Sequence, residues 1–278
     1  MAKAIADKHG ASSRAVLFYG SCLRERQFTG MMLDFYLIVS DYDAAYDERW
    51  LAVANRLVPP NVFPFEHDGL IAKYAVLSQA DFERECGPHA WTVSTVARFA
   101  QPARLVWSAD PSAAAWAVDT VARAAPTLLG WALPLDPSAS VTEVWKRAFE
   151  LTYRAEIRAE RPGRPGAIVD ADPARYDRVG RSAHEELRKT GRFADAPLAA
   201  QRRSAERWWR RMQRRGWWYS VPRIAKGSVT FAGGADYIAW KINRHAGTDI
   251  RLKPWQRRWP LLAAITLLPR LLRSGAVR

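Results

Sequence analysis

Only two cysteines, Cys22 and Cys86, occur in the chain, and their spacing suits neither a disulfide framework nor a metal knuckle. The expectation is two free thiols in a reducing compartment. Long apolar runs are missing too. The longest late one, Leu261 to Leu268, falls far short of the roughly 18 residues that span a bilayer. The first residues, MAKAIADKHGASSR, lack the apolar core of a signal peptide. There is no internal repeat and no low-complexity tract. These absences argue against a secreted scaffold, an integral membrane protein and a solenoid, and lead us to expect a cytoplasmic protein.

What is present is a globular composition, with 49% hydrophobic and 25% charged residues in a chain of 278. That length suits one large or two modest domains. The net charge is +14, and it is unevenly placed: residues 1–200 sum to −1 and residues 201–278 to +15. An anionic partner is therefore expected at the C-terminal end, whether nucleic acid, anionic lipid or a phosphorylated substrate.

Periodicity predicts strands over 14–19 (RAVLFY), 32–39 (MLDFYLIV) and 103–107, and a strand pair, 62–65 and 70–77, around His67-Asp68-Gly69. One helix is predicted over 40–57, capped by Ser40 or Asp41 and stopped by Pro59-Pro60. Another starts at the capping box of Ser78 and Asp81, and Trp91 to Phe99 also reads as helical. After Trp107 the pattern turns helical. Asp110-Pro111, Asp136-Pro137 and Asp172-Pro173 look like caps with proline in the first turn, Ser140 and Glu143 head a pattern over 141–158, and an arginine-rich helix covers 198–215. The predicted organisation is an α/β domain over 1–110, a helical domain over 111–200 and a basic region over 201–278.

The chemistry concentrates in YGSCLRERQFTGMMLDFYLIV. A strand ends at Gly20-Ser21, where glycine lets the backbone approach a phosphate and Ser21 and the N–H groups after it can bind phosphate oxygens. Twelve residues separate Ser21 from Asp34, which lies in a strand, placed to hold Mg²⁺. An aspartate inside MLDFYLIV is otherwise an expensive place for a charge. This is the layout of the DNA-polymerase-β-like nucleotidyltransferases. Their acid, any residue, acid pattern is incomplete here, since Asp34-Phe35-Tyr36 lacks the second acid, and Tyr36 reads as a packing residue. A tight turn beside a lone aspartate is the plain alternative.

Several segments together resemble the mitochondrial-type CDP-diacylglycerol synthases (phosphatidate cytidylyltransferases), the translocator assembly and maintenance family. Gly20, Ser21 and the run Met32-Leu33-Asp34-Phe35 match its YGSG-type turn and MLDF-type strand, while Cys22 and Leu23 depart from the usual turn. Residues 68–78 (DGLIAKYAVLS) are similar to its NGRLIKYGVIS segment, and 97–102 (ARFAQP) to its AGRLQKPV segment. Tyr153 to Arg158 and Ala225 to Ser228 resemble later segments. The likeness is patchy but in order along most of the chain.

The resemblance implies a nucleotidyltransferase domain, a winged-helix-like helical domain and a membrane-binding C-terminal region. It implies transfer of CMP from CTP to phosphatidic acid, with Mg²⁺. Among the residues, Lys73 could meet the triphosphate or snorkel to solvent, and Arg98 could clamp phosphate or face solvent. Glu66 and Asp68 are either extra metal carboxylates or ordinary turn acids; His67 has no assigned role. Tyr153, Glu156, Arg158 and Lys226 are candidates for the cleft between domains, with a surface salt bridge as the alternative for Glu156 and Arg158.

Tryptophan and arginine alternate in 208–219 (WWRRMQRRGWWY), which suits a membrane interface or a packed core behind a solvated face. The later stretch favours a bilayer: Trp255, Arg257, Arg258 and Trp259, then Leu261 and Leu262 in the apolar run. Peripheral attachment to the cytoplasmic face of an anionic membrane is the expectation. The alternative is a transferase or binding module that meets RNA or DNA through the same basic aromatic end, and a third possibility is nucleotidyl transfer to a small soluble acceptor.

Overall fold

A computed structural model describes residues 1–25, 31–156, 164–190, 197–230 and 251–258. Its centre is a five-stranded mixed sheet in the order β3-β4-β2-β1-β5. The strands are β1 (Ser13–Tyr19), β2 (Met32–Val39), β3 (Asn61–His67), β4 (Leu70–Ser78) and β5 (Ala103–Ser108). β2 and β4 run parallel; the other pairs are antiparallel. β3 and β4 turn at Asp68 and Gly69, both in the left-handed region (φ 52° and 71°), as a tight hairpin with glycine second demands.

Alternation sorts the side chains onto two faces. Leu33, Phe35, Leu37 and Val39 of β2 face a layer made by α1 (Ala2–Asp7), α3 (Tyr42–Ala45) and α4 (Arg49–Leu57). Tyr36 and Ile38 face the other way, with Ala75 and Leu77 of β4, into a larger core. That core is closed by α5 (Gln79–Cys86), α6 (Ser94–Phe99), α7 (Pro111–Ala122), α8 (Ala124–Ala132), α9 (Val141–Arg154), α11 (Pro173–Lys189) and α12 (Leu198–Thr230). Three shorter helices complete the described chain: α2 (Ser21–Glu25), α10 (Arg164–Asp170) and α13 (Pro254–Arg258). One continuous core thus joins the sheet to the helices that follow it.

The caps form where short polar side chains meet free N–H groups. Ser78 accepts from Asp81, Asp110 from Ala113 and Asp172 from Arg175, while Ser140 and Glu143 close a reciprocal capping box. Asp136-Pro137 starts no helix. The Asp136 carboxylate bonds Ser138 in a local turn, and the capping box three residues later takes the start of α9.

The single helix predicted over 40–57 is two, α3 and α4. At Tyr46 the backbone extends (φ −132°, ψ 128°), and its ring meets the His9 ring edge-on at 5.7 Å while its hydroxyl accepts from Asn55 Nδ2. α6 begins at Ser94, not Trp91, because Glu85 accepts hydrogen bonds from the N–H groups of Trp91 and Thr92 and holds that segment as a loop. α9 ends at Arg154, short of the predicted 158. α12 runs well past 215 and through Pro222; near that proline, Ser220 Oγ donates to the Gly216 carbonyl at 2.7 Å. No strand follows Ser108 among the described residues, so the wing of a winged helix is not found there. No helix among them is long and apolar enough to cross a membrane.

Candidate active site

β1 ends at Tyr19, directly opposite Asp34 of β2, and Lys73 of β4 is the register partner of Asp34 on the other side. Paired residues share a face, so Tyr19, Asp34 and Lys73 lie on the side of Tyr36 and Ile38, toward the larger core. The Lys73 ammonium lies 3.0 Å from Asp34 Oδ1. That oxygen is buried and accepts no hydrogen bond among the described residues, so the ion pair is its described stabilisation.

Gly20 makes the close approach possible. Its φ is +93°, and a Cβ built there would stand 2.8 Å from Asp34 Oδ2. The chain can turn over the carboxylate only without a side chain. Ser21 then opens α2, a five-residue helix whose first N–H groups leave from this turn.

Arg98 reaches the same place from α6. It is half-buried, and its Nη1 donates to the Ser94 carbonyl at 2.7 Å. Burial works against its charge, but Tyr36, Tyr19, Glu156 and Asp34 outweigh burial and hold its pKa above the ordinary arginine value. Tyr19 is pushed well above the ordinary tyrosine pKa by burial and by the Asp34 charge, so its hydroxyl keeps its proton.

Tyr36 stands where the second acid of the superfamily pattern would be. Its ring is 2% exposed and packs against Tyr19 (5.2 Å) and Phe99 (5.2 Å), which makes it a wall of the site. Among the described residues no three His, Cys, Asp or Glu side chains form a metal cluster. Glu66 faces the same side of the sheet as Lys73 but lies two strands from Asp34 and level with Met32, not with Asp34. Asp68 lies in the hairpin turn against His67. The fit to a divalent ion is therefore through one carboxylate, Asp34, whose buried oxygen has room in its bonding. Mg²⁺ in nucleotide enzymes commonly takes one or two carboxylates plus substrate phosphates.

The other candidates separate. Glu156, just past α9, is buried and faces both Arg98 and Arg223 of α12, so it belongs to the cluster. Tyr153, one turn earlier, is half-buried against the core. Lys226 does not reach the cluster by any described bond. It donates to the carbonyls of Ala54 and Val58 at the end of α4, while burial and then the Arg223 charge push its pKa down to about 7. Arg158, Trp259, Leu261 and Leu262 lie outside the described residues. Trp255 is exposed on α13, which Arg257 and Arg258 end.

The sequence reading missed Arg223 and Ser94. Neither carries a motif signal; Arg223 is one arginine among many in α12.

No family model matches this chain, and no curated protein matches it. Among solved structures, a nucleotidyltransferase-like protein from Exiguobacterium sibiricum 255-15 superposes at TM-score 0.28 and 8% identity, over 97% of this chain and 88% of that one. A likeness at that level carries no argument about this chain.

Proposed function

We propose that this chain is a nucleotidyltransferase, and that it transfers CMP from CTP to phosphatidic acid, giving CDP-diacylglycerol and pyrophosphate at a membrane surface. The observation that carries the transfer chemistry is the glycine turn closed over Asp34, with Lys73 and Arg98 beside it. The choice of CTP and of a lipid acceptor comes from the resemblance of segments 20–21, 32–35, 68–78 and 97–102.

In this reading the triphosphate lies on the Gly20-Ser21 turn, and Asp34 would hold Mg²⁺. The ion supplies charge neutralisation of the phosphates. Lys73 and Arg98 place fixed positive charge where negative charge builds in the transition state. An oxygen of the acceptor's phosphate monoester attacks the α-phosphorus in line. The bond from that phosphorus to the bridging oxygen breaks, and pyrophosphate leaves with the electron pair. The attacking phosphate is already ionised near neutral pH, so no side chain has to remove a proton. A site whose second carboxylate, Glu156, is tied up with Arg223 and Arg98 suits such a nucleophile better than it suits a hydroxyl.

The test is incubation of purified protein with labelled CTP or ATP, Mg²⁺ and phosphatidic acid liposomes. Lipid-soluble label from CTP alone supports the reading, and its absence with both nucleotides removes it. Asp34→Asn should abolish turnover in a folded protein, a loss on the order of several kcal/mol of transition-state stabilisation. Near-normal activity in that variant would end the catalytic assignment.

A second reading is favoured by α12. Arg203, Arg207, Arg210, Arg211 and Arg214 all lie on its exposed side, which suits a polyanion such as RNA. Label from a nucleotide appearing in RNA and not in lipid would select it.

A further inference from the structure

We propose that Arg223 is a positioning residue for Arg98, an inference that rests on the nucleotidyltransferase reading of the site. Arg223 Nη1 donates to Ser94 Oγ at 2.6 Å and lies 3.3 Å from Glu156 Oε1. The backbone carbonyl of the same Ser94 accepts from Arg98 Nη1 at 2.7 Å. Both guanidinium groups therefore grip one serine, Arg98 on its carbonyl and Arg223 on its hydroxyl. Glu156, 8% exposed, sits between the two positive charges.

The physical consequence follows from Glu156. A buried carboxylate must be neutralised. With Arg223 in place, Glu156 divides its charge between a guanidinium on α12 and Arg98, which also feels Tyr36, Tyr19 and Asp34. Without Arg223, Glu156 loses one cation and pulls harder on Arg98, away from Asp34. A long arginine side chain has many rotamers, so a fixed phosphate clamp needs such a backstop. Arg223 and Ser94 also line a cavity of about 290 Å³ together with Trp91, Thr95, Tyr219 and Arg84. The side chain of Arg223 is only 22% exposed, which separates it from the outward arginines earlier in the helix.

The experiment compares Arg223→Met, Arg223→Lys and Arg98→Lys in the full chain. Arg215→Gln is the control; that guanidinium stacks over Trp91 at 3.9 Å on the same helix, outside the cluster. Thermal unfolding first establishes which variants fold. Guanidinium ¹⁵N NMR then follows the Arg98 resonance, assigned by its loss in Arg98→Lys. Arg223→Met should move that resonance and raise the nucleotide KM by about tenfold, as loss of a charge-assisted contact does. Arg98→Lys should add little on top, Arg223→Lys should recover part of the loss, and Arg215→Gln should change neither readout. A folded Arg223→Met protein with an unmoved Arg98 resonance overturns the proposal, as does a KM effect that multiplies with that of Arg98→Lys. If the native chain transfers no nucleotide, the functional reading fails by itself and the Arg98 resonance still decides this one. Should Arg223→Met not fold, Ser94→Ala removes only the hydroxyl and must move the same resonance for the proposal to stand.

Discussion

Gly20 and Asp34 are the pair on which the site turns. Adding one methyl group at Gly20 would place carbon 2.8 Å from the Asp34 carboxylate, at a backbone φ of +93° that side chains rarely adopt. Gly20→Ala should therefore lose about 1–2 kcal/mol of stability and weaken nucleotide binding, both measurable by urea unfolding and calorimetry. Unchanged affinity in the folded variant would make the turn purely structural. Lys226 offers a test by pH. Its folded pKa is about 7, below the unfolded lysine value, so between these two the unfolded chain binds the extra proton. Stability should accordingly rise with pH across that window, and the penalty of burying the charge is fully present below pH 7. Urea midpoints from pH 6.5 to 9.5 should climb in the native chain and climb less in Lys226→Met; identical slopes would show that the Ala54 and Val58 carbonyls keep the proton on.

At the scale of elements, α12 meets the end of α9 through a glycine. A Cβ at Gly216 would stand 1.8 Å from the Ala155 carbonyl oxygen, a backbone atom that cannot swing aside. Gly216→Ala should force the helices apart and cost more than about 2 kcal/mol, with loss of activity because Glu156 is the next residue. Gly166→Ala is the counterpart: its Cβ would come no nearer than 4.0 Å to Asp170, and removing glycine from a helix should stabilise by about 0.5 kcal/mol. Equal thermal shifts for the two variants would refute the packing account. Element starts were the most legible part of the sequence, since Ser78, Asp110, Ser140 and Asp172 cap by local hydrogen bonds that depend on residues three apart. The break at Tyr46 and the loop at Trp91 were not legible, because His9 and Glu85, which impose them, act through tertiary contacts.

For the whole molecule the question is what the positive charge meets. The tryptophans of α12 divide. Trp209 is buried with its Nε1 bonded to the Trp131 carbonyl at 2.9 Å, and Trp208 stacks on the Trp131 ring at 4.0 Å, so these two are core. Trp218 is 68% exposed, beyond the outward arginines. Trp208 and Trp209 are thus committed to the protein, and in the proposed membrane reading the lipid contact would fall to the later stretch. Deleting residues 255–278 should lower flotation with anionic liposomes and activity on bilayer phosphatidic acid, while nucleotide affinity survives. Added salt should weaken docking, at roughly 1 kcal/mol for each basic residue near the surface. Undiminished flotation of the shortened chain would move the anchor elsewhere.

The sequence by itself determined the strands, most helix starts, the Gly20-Ser21 turn and the lone Asp34, because each depends on alternation, a nearby cap or a conformational freedom only glycine has. It also located the charge. Only the tertiary structure decided that Lys73 pairs with Asp34 and that Arg98 lies among Tyr36, Tyr19 and Glu156, since that depends on which strand lies beside β2 and which helix crosses its face. It alone placed Glu156 between two arginines and turned Arg223, one basic residue among many in α12, inward to Ser94. Those contacts join residues 67 and 129 positions apart, and no local pattern encodes a meeting at that distance.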